Sequence, residues 1–229
     1  MNSDAPSQAV ITISKEQLAK LPAAQFQGQI CLIENEQEIV AAVSELRASG
    51  IIGFDTETRP SFRKGQSNTV SLVQLSTRTV CYLFRINHVG LAQPIIDLLE
   101  DPGVLKIGLS VHDDFHNLNK ISHINPGGFI ELQNFVKDYG IADNSLTKIY
   151  AVIFGQRISK GQRLTNWEAE HLTSSQQSYA ALDAMACLQI YDHIVSGRFN
   201  PAESPYRCAT PSGEESASTD EQPTNSSSL

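Results

Sequence analysis

The stretch GFDTET, residues 53–58, decides how the rest of the chain is read. The approach Ile51-Ile52-Gly53-Phe54 is apolar, as a strand entering a core should be, yet the strand ends on two acids, Asp55 and Glu57, one residue apart. Side chains on a strand alternate faces, so both carboxylates point the same way, roughly 6.5–7 Å apart along the strand. Like charges side by side at the end of a buried strand are costly unless something positive sits between them. The stretch therefore calls for a cation.

Working outward, QICLIE (29–34) predicts a strand, and NEQEIVAAVSELRAS (35–49) an amphipathic helix capped by Asn35. SKEQLAKL (14–21) predicts a short helix with Ser14 as cap and Gln17 three residues on. After the loop RPSFRKGQSN (59–68), TVSLVQLST and TVCYLFRI flank a short connection and predict a β-hairpin. A helix over 91–101, a strand over 104–110 and a helix over 112–121 follow. A short strand feeding a helix is expected in 128–140, and a helix capped by Ser145 over 145–155. Thr173 and Gln176 form a capping box ahead of a long final helix. Strands mixed with helices point to an α/β sheet covered by helices. The expected organisation is a flexible lead (1–12), one folded domain (13–198) and a disordered Ser-, Pro- and Glu-rich tail (199–229).

With 229 residues, 41% hydrophobic and 18% charged, the composition is that of a globular protein. No apolar run approaches the ~20 residues needed to span a bilayer. No secretion signal is visible, and the four cysteines are scattered without metal spacing, so a cytoplasmic location is expected. The net charge is −8, half of it in residues 200–229. That sign argues against a passive phosphate-binding surface, but not against an enzyme whose acids hold metal ions.

Three acidic stations stand out. The first is Asp55 and Glu57. The second is LSVHDDFHNL, where a strand hands over to a helix at Asp113-Asp114. The third is YAALD, where Tyr179 and Asp183 share one helix face. Four acids from three elements make chemical sense around Mg²⁺ or Mn²⁺, which prefer carboxylate oxygen and water. Two such ions about 4 Å apart serve phosphoryl transfer: one helps ionise a water, the other stabilises the leaving oxygen.

In order and spacing, FDTET, HDDFHNL and YAALDA resemble the three motifs of the DEDD superfamily of 3′–5′ exonucleases, tyrosine subtype, of the RNase D and Werner-exonuclease kind. The resemblance covers roughly Gln29 to Ile194, with SKGQRLTNWEAEHLTSSQQSYAALDA especially similar to RNase D-type domains. It implies a ribonuclease H-like fold of the DnaQ exonuclease type, with a five-stranded mixed sheet flanked by helices. It implies two metal ions, and stepwise release of nucleoside monophosphates from a 3′ end, single-stranded by expectation. On the matching positions, Asp55 bridges both metals, Glu57 and Asp183 complete the one that activates water, Asp114 holds the second, and Tyr179 positions the nucleophile. Asp114 is preferred over Asp113 by its spacing from Gly108 and to Leu118.

Arg59, Arg63 and Lys64 follow the first motif, and Lys160 and Arg163 precede Trp167; both loops are expected to hold phosphates. Phe62 is a candidate for stacking on a terminal base. Trp167 and Cys187 are read as packing residues, and His112 and His116 lack a third ligand for zinc. The competing function is an inactive nucleic-acid or protein adaptor of the same fold. The acidic total and the want of an accessory nucleic-acid domain favour it; the complete set of four acids and a tyrosine disfavours it.

Overall fold

The structure, a computed structural model, describes residues 10–62, 65 and 68–208. In chain order the elements are β1 (Val10–Ile11), α1 (Lys15–Lys20), β2 (Gln29–Ile33), α2 (Glu36–Ala48), β3 (Ile51–Thr58), β4 (Val70–Ser76), β5 (Val80–Arg85) and α3 (Ile86–Val89). There follow α4 (Gln93–Glu100), β6 (Leu105–Gly108), α5 (Val111–Leu118), β7 (Phe129–Glu131), α6 (Leu132–Phe135), α7 (Leu146–Phe154), α8 (Ser174–Val195) and β8 (Arg207–Cys208).

Local chemistry sets the helix starts. Ser14 with Gln17 and Thr173 with Gln176 form reciprocal capping boxes on α1 and α8. The Asn35 side chain accepts from the Glu38 N–H at the start of α2. Ser145 occupies the N-cap position of α7, as expected, but its side chain makes no capping bond.

Six strands form the main sheet in the order β2-β5-β4-β3-β6-β7. β3, β4 and β5 run antiparallel to their neighbours in this set, while β2–β5, β3–β6 and β6–β7 pair in parallel, so the sheet is mixed. The resemblance implied five strands; the three-residue β7, at the edge beside β6, is the sixth.

Period two along β3 sorts its side chains between two layers. Ile52 and Phe54 face a core built with Leu46 of α2, Leu98 and Leu99 of α4 and Phe115 of α5. Phe54 stacks on Phe115 at 5.9 Å and meets the edge of Phe129 at 5.1 Å. Burying such a ring contributes about 1.5–3 kcal/mol. The other face carries Gly53, against which α8 packs, and the neighbouring strands give Leu72 and Leu83 to a cluster with Ala180, Ala181 and Ala184. The sheet is thus a middle layer between helices.

Two boundaries differ from expectation. Val10–Ile11 pairs antiparallel with Arg207–Cys208, and Ile11 and Ile13 are fully buried. The Ile13 N–H donates to Asp143 Oδ2 at 2.9 Å. Residues 10–12 and 201–208, expected to be loose, therefore hold defined structure; each strand finds its partner only at the opposite end of the chain. Among the described residues, no helix is long and apolar enough to cross a membrane.

Candidate active site

Gly53, Asp55 and Glu57 alternate onto the face that α8 covers. A Cβ on Gly53 would stand 1.9 Å from the carbonyl oxygen of Ala184, so only glycine admits α8 this close. Asp183, the residue before Ala184, is thereby set beside β3. Carboxylate oxygens of Asp55, Glu57 and Asp183 lie within 4.8 Å of one another. Glu57 and Asp183 are only 9% and 6% exposed.

Asp114 arrives from the opposite layer. β6 hands over to α5 through Ser110, which takes a left-handed conformation at φ 62°. Glu131 holds this turn, accepting from the N–H groups of Ser110 at 3.0 Å and Val111 at 2.8 Å. The Thr56 hydroxyl, between the two acids of β3, donates to Asp114 Oδ1. The Asp113 side chain is 85% exposed, 3.7 Å from His112 Nδ1, whereas Asp114 accepts from Thr56 of β3, so of the two neighbouring acids Asp114 is the one turned toward the cluster. It stands outside the trio that shares 4.8 Å, yet its charge acts on Glu57.

The electrostatics are those of a pocket short of positive charge. Burial pushes the Asp55 carboxyl up to about 7. Glu57 is pushed up to about 10 by burial, then by Asp55, Asp183 and Asp114. Asp114 rises to about 8 through burial and then repulsion from Asp55. Asp183 is raised well above the carboxylate range by burial and Asp55, against the opposing pull of the Tyr179 hydroxyl and Lys160. The Tyr179 phenol is itself raised by burial and the neighbouring acids, so it is a hydrogen-bond donor at any ordinary pH.

Asp55, Glu57 and Asp183 open on a cleft of about 370 Å³, also lined by Tyr179, Lys160 and Arg163, with Ser110 and Asn144–Thr147 along its wall. Of the expected phosphate-binding bases, Lys160 and Arg163 therefore face the acids. Arg59 does not line the cleft; it pairs with Glu168 at 3.0 Å, tying the loop after β3 to the loop before α8. Phe62 is 83% exposed and lines none of the cleft. Arg63 and Lys64 lie outside the described residues. Trp167 is fully buried beside Tyr179, ring centres 6.1 Å apart, as expected of a packing residue. Cys187 is buried at the floor.

The donor set suits a hard divalent cation: carboxylate oxygens from separate elements within reach of one ion, in a place where burial leaves their charge uncompensated. Residues 30–196 match the family model of the 3′-5′ exonuclease.

The chain belongs to the 3′-5′ exonuclease family. It is 29% identical over 185 residues to the mouse (Mus musculus) bifunctional 3′-5′ exonuclease/ATP-dependent helicase WRN, covering 76% of this chain and 13% of that one. It is 31% identical over 148 residues to the exonuclease 3′-5′ domain-containing protein 2 of Drosophila melanogaster, covering 63% of this chain and 25% of that one. The chain thus spans a quarter or less of either relative. The solved Nibbler EXO domain of Aedes aegypti superposes with a TM-score of 0.69 at 22% identity, over 79% of this chain and 97% of that one, which establishes the exonuclease fold.

Several residues that shape this exonuclease site went unread in the sequence. Gly53 carried a signal, because glycine inside a strand marks close backbone approach. Glu131 carried none, since its partners lie about twenty residues upstream in another element. Thr56, the residue between the two acids of β3, carries no signal of its own in the sequence, because its partner Asp114 lies in another element.

Proposed function

We propose that the chain is a metal-dependent 3′–5′ exonuclease that hydrolyses phosphodiester bonds at the 3′ end of nucleic acid and releases nucleoside monophosphates. The observation that carries this is the convergence of Asp55, Glu57 and Asp183 in one cleft with the Tyr179 hydroxyl and the cations of Lys160 and Arg163.

Asp55, Glu57, Asp183 and Asp114 would hold two Mg²⁺ or Mn²⁺ ions. When bound, such a pair supplies an ionised water and neutralises charge on the leaving oxygen. The chain's own residues do the rest. Lys160 and Arg163 draw the scissile and neighbouring phosphates toward the acids without reading sequence. Tyr179, kept protonated by its surroundings, offers an O–H at the mouth of the cluster and orients a water there. Thr56 fixes one oxygen of Asp114 and leaves the other free to act as a ligand.

A second cleft of about 390 Å³ adjoins the first across Tyr179 and is lined by Gln25, Phe26, Ser159, Gln162, Ser175 and Ser178. Among the described residues no charged side chain lines it, which suits a base and sugar better than a phosphate.

The test is a side-by-side digestion of matched RNA and DNA oligomers carrying a 5′ label, with Mg²⁺ or Mn²⁺. The expected result is a ladder shortening from the 3′ end, abolished by chelator. Absence of shortening for every substrate with either ion, or shortening undiminished in chelator, would overturn the proposal.

A further inference from the structure

Gln74 of β4 stands directly opposite Asp55 in the antiparallel pairing of β3 with β4. Residues so paired project to the same face with Cβ atoms about 4.5–5.5 Å apart. Gln74 is therefore on the α8 side of the sheet, next to Asp55, and its other cross-strand neighbour is Leu83. It is 0% exposed, and neither its Nε2 nor its Oε1 has a hydrogen-bond partner. Leu72, Leu83, Ala180, Ala181 and Ala184 make this face an apolar cluster. The remaining buried side-chain polar atom without a partner, among the described residues, is Nε1 of Trp167, which belongs to that same cluster.

A buried amide left unpaired is a standing cost to the fold, and one left unpaired at both ends is rare. The orphans here are complementary. Trp167 offers an N–H, Gln74 an acceptor oxygen and an amide donor, and Asp55 an acceptor carboxylate on the adjacent strand.

We infer that Gln74 is a positioning residue for the exonuclease site: its amide N–H is held for the Asp55 carboxylate, with the Trp167 indole N–H behind its carbonyl. This rests on the proposed metal-dependent function. A carboxylate that would ligate metal must be held in one orientation, and hydrogen bonds from behind are the usual means. Once Asp55 is ionised, as a metal ligand must be, the oxygen of Gln74 cannot serve it, because both would be acceptors, so the amide then has one productive orientation. A side chain retained merely to fill space would be replaced by leucine without functional loss.

The experiment uses the full chain and needs no nucleic acid. Parent, Gln74→Leu and Gln74→Met are melted in chelator, then titrated with Mn²⁺ by calorimetry. Leucine and methionine keep the bulk and delete the orphaned atoms; both variants should melt at or above the parent in chelator and bind Mn²⁺ about tenfold more weakly. Parental Mn²⁺ affinity in Gln74→Leu or Gln74→Met overturns the inference, as does a fall in melting temperature with affinity unchanged, which would make Gln74 a structural residue. A parent that takes up no Mn²⁺ would instead overturn the proposed function itself, so the two failures are told apart.

Discussion

Gly53 and Ala184 touch backbone to backbone: a Cβ on Gly53 would lie 1.9 Å from the Ala184 carbonyl oxygen and 2.8 Å from its carbon. Neither atom can swing aside as a side chain would. Gly53→Ala is expected to push α8 off the sheet, costing about 2–3 kcal/mol in a denaturant melt. Because Asp183 rides on the same turn, oligomer digestion should fall at least about a hundredfold. A variant with the parental midpoint and parental digestion would show that the close approach is not what assembles the acids.

The carboxylates give a pH signature. Burial raises Asp55 to about 7, and burial with repulsion from Asp55 raises Asp114 to about 8. In the unfolded chain both ionise near ~3.9. A group that holds its proton more tightly when folded stabilises the fold fully below its unfolded pKa and ceases to as pH climbs through its folded pKa. The protein in chelator should therefore melt at a lower temperature at pH 8 than at pH 5.5. Asp55→Asn should flatten that decline, and Mn²⁺ should raise the parent's melting temperature more at pH 8 than at pH 5.5. A chelated parent with equal or greater stability at pH 8 and no effect of Asp55→Asn would contradict this electrostatic picture.

Tyr179 separates chemistry from assembly. Its hydroxyl faces Asp183, while its ring packs beside Trp167. Tyr179→Phe keeps the ring and deletes the donor. Digestion is expected to slow by about a hundredfold, the low end of a positioned proton-bearing group. Melting temperature and Mn²⁺ affinity should change little. Equal rates for Tyr179→Phe and parent would assign the tyrosine to packing alone.

The bases should divide by what they face. Lys160→Ala and Arg163→Ala are expected to raise KM for oligomers severalfold and to flatten the dependence of binding on salt, as loss of a phosphate contact does. Arg59 is engaged with Glu168, and both side chains are part-exposed. Arg59→Ala should cost at most about 1 kcal/mol of stability and leave the salt dependence nearly as it was. The reverse ranking, measured by filter binding across salt concentrations, would move the phosphate path to the loop after β3.

What the sequence made legible was local and periodic. Alternation in GFDTET put Asp55 and Glu57 on one face, and Thr173 with Gln176 located the start of α8. Spacing along one helix coupled Tyr179 to Asp183. What stayed hidden was contact between distant segments. The Glu131 grip on Ser110 and Val111, the Arg59–Glu168 pair and the joining of Val10–Ile11 to Arg207–Cys208 leave no trace in any short window. Gly53 lay in plain view in the decisive stretch, but its reason is the Ala184 carbonyl on a helix far along the chain. The same holds for Gln74, which reads as a polar interruption in VSLVQLS until the strand pairing puts it across from Asp55.

The most direct measurement is an anomalous difference map from a crystal soaked in Mn²⁺. Two peaks are predicted among the carboxylates, one shared by Asp55, Glu57 and Asp183 and one between Asp55 and Asp114. A map without a peak at these side chains, from a soak that fills other sites on the molecule, would contradict the claim that this cluster exists to hold metal.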